Sequence, residues 1–186
     1  MSKRSNETIT LGSGKLYCCV FDGSIPTNAK LEVEANHLAW IKGGASLTYT
    51  PEFYTAEDDL GMIKKRKINS ETASLKSGIL TWNGNVLNKL VSTGKVVEEK
   101  GNRKVKIGGA GNYDGKSYVI HFVHKDAVDG DVRVTIVGQN TAGFTLAFAK
   151  DAETVIDAEF SALPCDDQGT LIIFQEEIEV KKETDK

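Results

Sequence analysis

Residues 78–94, GILTWNGNVLNKLVSTG, are where the periodicity of this chain changes character. The segment opens on strand-like residues, passes the Asn83-Gly84 turn signal, and then places Val86, Leu87, Leu90 and Val91 on one face at helical spacing. Asn85 is placed to cap the helix by accepting a backbone N–H bond, and Gly94 suits a left-handed residue past its end. The pattern predicts one short helix over about 85–93. A helix of about nine residues is unstable alone, so its apolar face must dock on a sheet. Burial stabilises each such aliphatic side chain by roughly 1.5–3 kcal/mol, several kcal/mol in all.

Outward from that helix the chain reads as strands. KLYCCVFDG from Lys15 ends in a turn, and LAWIKGGASLTYT from Leu38 is extended, with Gly43-Gly44 as a bend or bulge. VKIGGAGNYDGK has turn composition. In SYVIHFVHK, Tyr118, Ile120 and Phe122 face one way while Val119 and Val123 face the other, so both faces read as covered. DVRVTIVGQN, GFTLAFAK and ETVIDAEFSA continue the period of two. Their inward sets are Val132, Val134 and Ile136, then Phe144, Leu146 and Phe148, then Ile156, Ala158 and Phe160. GTLIIFQEEIEV reads as a last strand. About seven or eight strands with one flanking helix imply a mainly β protein, an antiparallel sandwich or barrel.

With 186 residues, the chain suits one domain, 1–186, with an N-terminal arm (about 1–14), a projecting segment (about 51–74) and a charged C-terminal tail (about 178–186). The composition, 40% hydrophobic and 26% charged, is that of a soluble globular protein, and 18 glycines beside 3 prolines suit many turns. No apolar run approaches the length of a signal sequence or a bilayer span, which places the protein in the cytoplasm of the producing cell. Cys18, Cys19 and Cys165 show no Cys-x-x-Cys spacing and read as plain thiols. A formal charge of −3 argues against sequence-specific DNA binding.

The segment PEFYTAEDDLGMIKKRKINSETAS, 51–74, sets Glu57, Asp58 and Asp59 against Lys64, Lys65, Arg66 and Lys67. It reads either as a solvated loop or projecting hairpin, or as an electrostatic contact with a partner.

The chemical motifs fail on context. GSGK at 12–15 has Ile9 where a P-loop needs its first glycine and Leu16 where it needs Ser or Thr. GGAG at 108–111 opens no helix. His121 and His124, three apart on a strand, project from opposite faces and share no metal, and His37 has no partner at ligand spacing. No nucleophile elbow, zincin pair or reactive-cysteine signature occurs. The chain reads as a non-enzyme with no cofactor and no metal. Trp40, Tyr49, Phe53, Tyr54 and Trp82 support one rival, a carbohydrate-binding or adhesion sandwich that displays aromatic platforms, against their commoner use in packing and interfaces.

The order of elements then carries a resemblance. TASLKSGILTWN, the helix NVLNKLVSTG, RKVKIGG, SYVIHFVHK, GFTLAFAK and TVIDAEFSALPCDDQGTLIIF together resemble a bacteriophage major tail tube protein over roughly Lys15 to Glu177, most closely in AEFSALPCDDQGTLIIFQEE. The resemblance implies the tube fold shared with the haemolysin-coregulated protein of type VI secretion, two packed antiparallel sheets with a flanking helix. It implies hexameric rings, stacked through the long loop and terminal arms, that conduct genomic DNA without binding it specifically. Implied partners are further copies, a tape measure protein and tail terminator or baseplate proteins; the implied place is the virion, after assembly in host cytoplasm. Some relatives append an immunoglobulin-like domain, for which a chain ending at Lys186 leaves no room.

On this reading 57–67 and the leader 1–14 are mobile in the free subunit and ordered between rings. A pore that passes DNA needs a neutral to acidic wall, and Asp157 and Glu159, alternating against Ile156, Ala158 and Phe160, mark the candidate lumen strand.

Overall fold

A computed structural model describes residue 7 and residues 9–178. The rest of the leader and the charged tail from 179 onward lie outside the described residues. The elements, in chain order, are β1 (Lys15–Val20), α1 (Asn28–Leu31), β2 (His37–Ala39), β3 (Ile41–Glu57), β4 (Lys64–Ile79), α2 (Gly84–Lys89), β5 (Gly94–Glu99), β6 (Asn102–Ile107), β7 (Tyr118–His124), β8 (Val132–Asn140), β9 (Ile156–Leu163) and β10 (Ile173–Glu176), with single 3-10 turns at Glu34–Asn36 and Ala110–Asn112. The fold is mainly antiparallel β with short helices.

Among the described residues, eight strands form one sheet in the order β2-β1-β7-β8-β9-β4-β3, with β10 paired to β8 beside β9; β5 and β6 form a separate ribbon. The two ends of that path, β2 and β3, are separated in the chain by Trp40 alone. The sheet therefore curls until its first and last strands follow one another end to end through this residue, without pairing edge to edge. Trp40 marks the seam: its carbonyl accepts the N–H of Leu80 at 2.8 Å, and its own N–H donates to Thr81 Oγ1 at 2.9 Å.

The period of two sorts side chains between the faces of the roll. One face carries Leu16, Cys18, Leu75, Ile79, Ile120, Ile136, Ile156, Ala158 and Phe160, all 2% exposed or less, and packs with Leu87 of α2 and Leu90 at its C-terminal cap. The reverse face is covered only in part. Behind β1, β7 and β8, Val119 and Val137 meet Leu31 of α1, with Ile25 and Cys165 beside them. Both faces of β7 and β8 are thus buried, while β9 alternates buried and open.

Glycine is required by this geometry at three positions. Gly43 and Gly44, at φ of 80° and 74°, make the bulge between the Lys42 and Ala45 pairings of β3 with β4. Gly138 lies just past the point where β8 changes partner from β10 to β9, and a Cβ there would collide with the Ser161 carbonyl.

Several elements differ from the sequence reading. The main helix ends at Lys89 rather than 93, and its cap is Asn83, whose side chain accepts the N–H groups of Asn85 and Val86 at 2.9 and 3.1 Å. Asn85 lies inside the helix. Asn83 wins because its extended backbone puts its side chain two and three residues ahead of free donors. Gly94 is not left-handed; it opens β5, packed against Asn88 and Val91 where a Cβ would not fit. GFTLAFAK is not a strand: Phe144 and Leu146 pack on the core from an irregular segment, and Phe148 is 78% exposed. Packing on the rolled sheet, rather than strand pairing, holds that segment. A second helix, the single turn α1, was invisible in the sequence.

Candidate assembly surfaces

The segment read as a loop or hairpin at 51–74 is part of a hairpin in which β3 and β4, 17 and 16 residues long, pair from Ile41↔Ile79 to Glu57↔Lys64. Only its root belongs to the core: Ala73, Leu75, Ser77 and Ile79 are buried, while every residue from 64 to 72 is exposed. A second register shift at Glu52/Phe53 twists the outer part. One face of the projecting ribbon carries Tyr49, Phe53 and Ile68, between 49% and 52% exposed, and the tip carries Leu60, Met62 and Ile63, at 84%, 81% and 74%.

Charges brace the tip. Glu57 meets Lys64 at 2.8 Å, and Asp58 Oδ1 accepts the N–H of Ile63 at 2.7 Å. That backbone hydrogen bond, ahead of weaker ones, holds the Asp58 carboxyl below its ordinary pKa. Arg66 lies over the Phe53 ring at 5.4 Å and donates to Thr55. Asp59, Lys65 and Lys67 point into solvent. Tyr54, one residue from Phe53, faces the other way.

Asp157 and Glu159 lie on β9 facing away from the core, beside Gly78 and Lys76 of β4. With Ser46, Thr48, Thr50, Thr72, Ser74 and Ser161 they form the uncovered reverse face over β3, β4 and β9. It is polar and made of small side chains. Glu159 pairs with Lys76 at 3.1 Å, a bond that with Ser74 lowers its pKa, and Lys42 pairs with Glu153 at the margin. Asp157 is exposed. The face is therefore mixed in charge rather than a bare acidic wall.

On α2 and just past its end, Leu87 and Leu90 are 8% and 1% exposed, Val86 packs half-buried against the core, and Val91 is half-buried beside Gly94. The flank opposite the core is occupied by the chain's own β5–β6 ribbon: Gly84 lies against Arg103 and Val105.

The covered part of the reverse face holds a charge network that no motif announces. Arg133 of β8, with a side chain only 9% exposed, donates to Glu32 Oε1 at 2.5 Å and Asp131 Oδ2 at 2.8 Å, and meets Glu177 at 3.6 Å. Lys125 bridges the same two carboxylates at 2.8 and 2.7 Å. Burial pushes the Glu32 and Asp131 carboxyls up, but hydrogen bonds outweigh it, from Arg133 and Lys125 at Glu32 and from Lys125 and the Asp126 backbone N–H at Asp131, so both lie below their ordinary range. His121, fully buried, bonds Thr135 Oγ1 through Nδ1 at 2.8 Å. Burial lowers its pKa against the pull of Glu32, so the ring is neutral and its 3.7 Å approach to Glu32 is no ion pair. The network fastens α1, the 125–131 loop and the end of β10 to the sheet. The signal available in sequence was Arg133 itself, an arginine between two valines at the start of an apolar strand.

No group of three or more His, Cys, Asp or Glu among the described residues is arranged to hold a metal, and no described helix is long and apolar enough to cross a membrane. The three thiols are free, and burial pushes Cys18 up to about 12. Tyr49 bonds Glu71, Trp40 takes part in the seam, and Trp82 meets Phe148 edge-on at 6.2 Å.

No profile of a known protein family matches the sequence, and no curated protein matches it. Among solved structures the chain is similar to a component of the virion of a native gene transfer agent particle, with 9% identity, a TM-score of 0.46, and coverage of 88% of this chain and 95% of that one. A likeness of that degree carries no weight for fold or function.

Proposed function

We propose that this chain is a non-catalytic structural virion protein, a tail tube subunit whose copies close into hexameric rings that stack into a DNA-conducting tube. The observation that carries this reading is the β3–β4 hairpin. Its outer half extends a paired ribbon beyond the body and presents apolar side chains, ending in Leu60, Met62 and Ile63, that the chain itself does not cover. Exposed apolar surface of this kind marks an interface.

The strand edges support the same reading. β3 pairs with β4 alone and β10 with β8 alone among the described residues, so each offers a row of unpaired backbone donors and acceptors. Strand pairing between copies removes those edges, and a ring closes the series. In this assignment the hairpin, with Glu57, Asp58, Asp59 and Lys64 to Lys67, is the stacking element between rings. The polar face with Asp157 and Glu159 is the lumen wall, where a balance of charge lets DNA slide without being held. Tape measure, terminator or baseplate proteins are the further partners.

Negative-stain electron microscopy of the concentrated protein tests the proposal. Six-fold rings or tubes are the expected result. Another symmetry overturns the hexamer, and a monomer at all concentrations that binds oligosaccharides, with a change in tryptophan fluorescence, favours the carbohydrate-binding rival.

A further inference from the structure

The whole chain is acidic by three charges, yet residues 94–107 reverse that balance, with Lys95, Lys100, Arg103, Lys104 and Lys106 against Glu98 and Glu99. Register decides where the surplus lies. The pairs Gly94↔Ile107, Val96↔Val105 and Glu98↔Arg103 alternate with Lys95↔Lys106, Val97↔Lys104 and Glu99↔Asn102, so the two sets occupy opposite faces of the β5–β6 ribbon. The first face is turned to α2, since a Cβ on Gly84 would come within 2.8 Å of both Arg103 and Val105. Lys95, Lys104 and Lys106 therefore project from the outer face, and all three are exposed.

Among the described residues these cations are poorly neutralised. Arg103 is engaged by Glu98 at 2.6 Å on the inner face, whereas Lys104 reaches Glu99 only at 3.8 Å with both side chains more than 60% exposed. Lys95 and Lys106 lie directly opposite each other, a like-charge pairing that costs stability in a two-stranded ribbon. The basic run on the large hairpin is different, because Glu52, Glu57, Asp58, Asp59 and Glu71 compensate it locally.

We propose that the outer face of the β5–β6 ribbon binds the phosphate backbone of duplex DNA without sequence preference. A two-stranded ribbon has the width that the major groove admits. Alternate residues on a strand lie roughly 6.6 Å apart, so Lys104 and Lys106 present successive charges along one edge with Lys95 beside them. Lysine serves phosphate as a point charge, and the face lacks the arginine or aromatic side chains that read base edges or stack on them. The ribbon lies on the side of the sheet that carries α2, opposite Asp157 and Glu159, so this contact is independent of the lumen assignment and of the tube reading.

Fluorescence anisotropy with a labelled duplex of about 20 base pairs tests it. Three phosphate contacts give a log–log salt slope of about −2.7, a roughly 40-fold loss of affinity between 50 and 200 mM salt. Lys95→Glu with Lys106→Glu is expected to weaken binding at least tenfold and to flatten the slope by about two. Lys65→Glu with Lys67→Glu, the same change in charge on the hairpin, is expected to leave affinity within about threefold. Circular dichroism checks that both variants fold, and Lys95→Gln with Lys106→Gln replaces the first pair if it does not. Absence of binding by the wild type at 50 mM salt, or equal loss in both variants, overturns the assignment. Polyglutamate displacing DNA at matched charge also overturns it, in favour of an acidic protein partner.

Discussion

Strands β7 and β8 and the hairpin β3–β4 are built from the same kind of pairing, yet they do opposite things. In β7 and β8 nearly every residue is buried, because α1 covers one face and the rolled sheet encloses the other. In the hairpin only the root is enclosed, and apolar residues beyond it face solvent. Pairing fixes backbone geometry in both. Coverage by a second layer is what turns paired strands into a source of stability, and its absence leaves a surface available for assembly.

The contrast is tested first by matched truncations. Phe160→Ala, in the enclosed core, is expected to cost about 3–5 kcal/mol in urea unfolding, while Phe53→Ala on the hairpin costs less than about 0.5 kcal/mol. Equal losses would mean that the hairpin is packed in the free subunit. Arg133→Met is expected to cost about 2 kcal/mol, since the half-buried Glu32 and Asp131 are left with only Lys125 to pair them.

The same network sets a pH dependence. His121 has a lowered pKa in the fold, so the unfolded chain takes up a proton first as pH falls below about 6.5, and stability declines from there. Glu32 and Asp131, also lowered, add a second decline that begins below their unfolded values of about 4 and continues through their folded ones. Urea midpoints measured from pH 8 to pH 3 should show both steps, and His121→Gln should remove the upper one.

Asn83→Ala is expected to cost about 1 kcal/mol by freeing two N–H groups of α2, whereas Asn85→Ala should be close to neutral. The smallest effect on folding is expected at the hairpin tip. Replacing residues 58–63 by Asn-Gly should leave stability within about 0.5 kcal/mol, because a two-residue turn closes the same ribbon. It should nevertheless abolish tubes under the microscope; tubes of normal length would remove the tip from the stacking contact.

The alternation of side chains was legible in the sequence wherever one residue type had to be inside. Ile156, Ala158 and Phe160 against Asp157 and Glu159, the two-sided apolarity of β7, and the Gly43-Gly44 bulge follow from the period of two and from the φ that glycine alone adopts readily. The tertiary structure decided what depends on contacts between distant segments. It brought the two ends of the sheet together at Trp40, gave GFTLAFAK a place on the core without strand partners, laid β5–β6 on the outer flank of α2, and buried Arg133 among carboxylates from three segments of the chain. Periodicity records which way a side chain points along its own strand. Which surface arrives to cover it is set by loops whose closure costs little and leaves no local pattern.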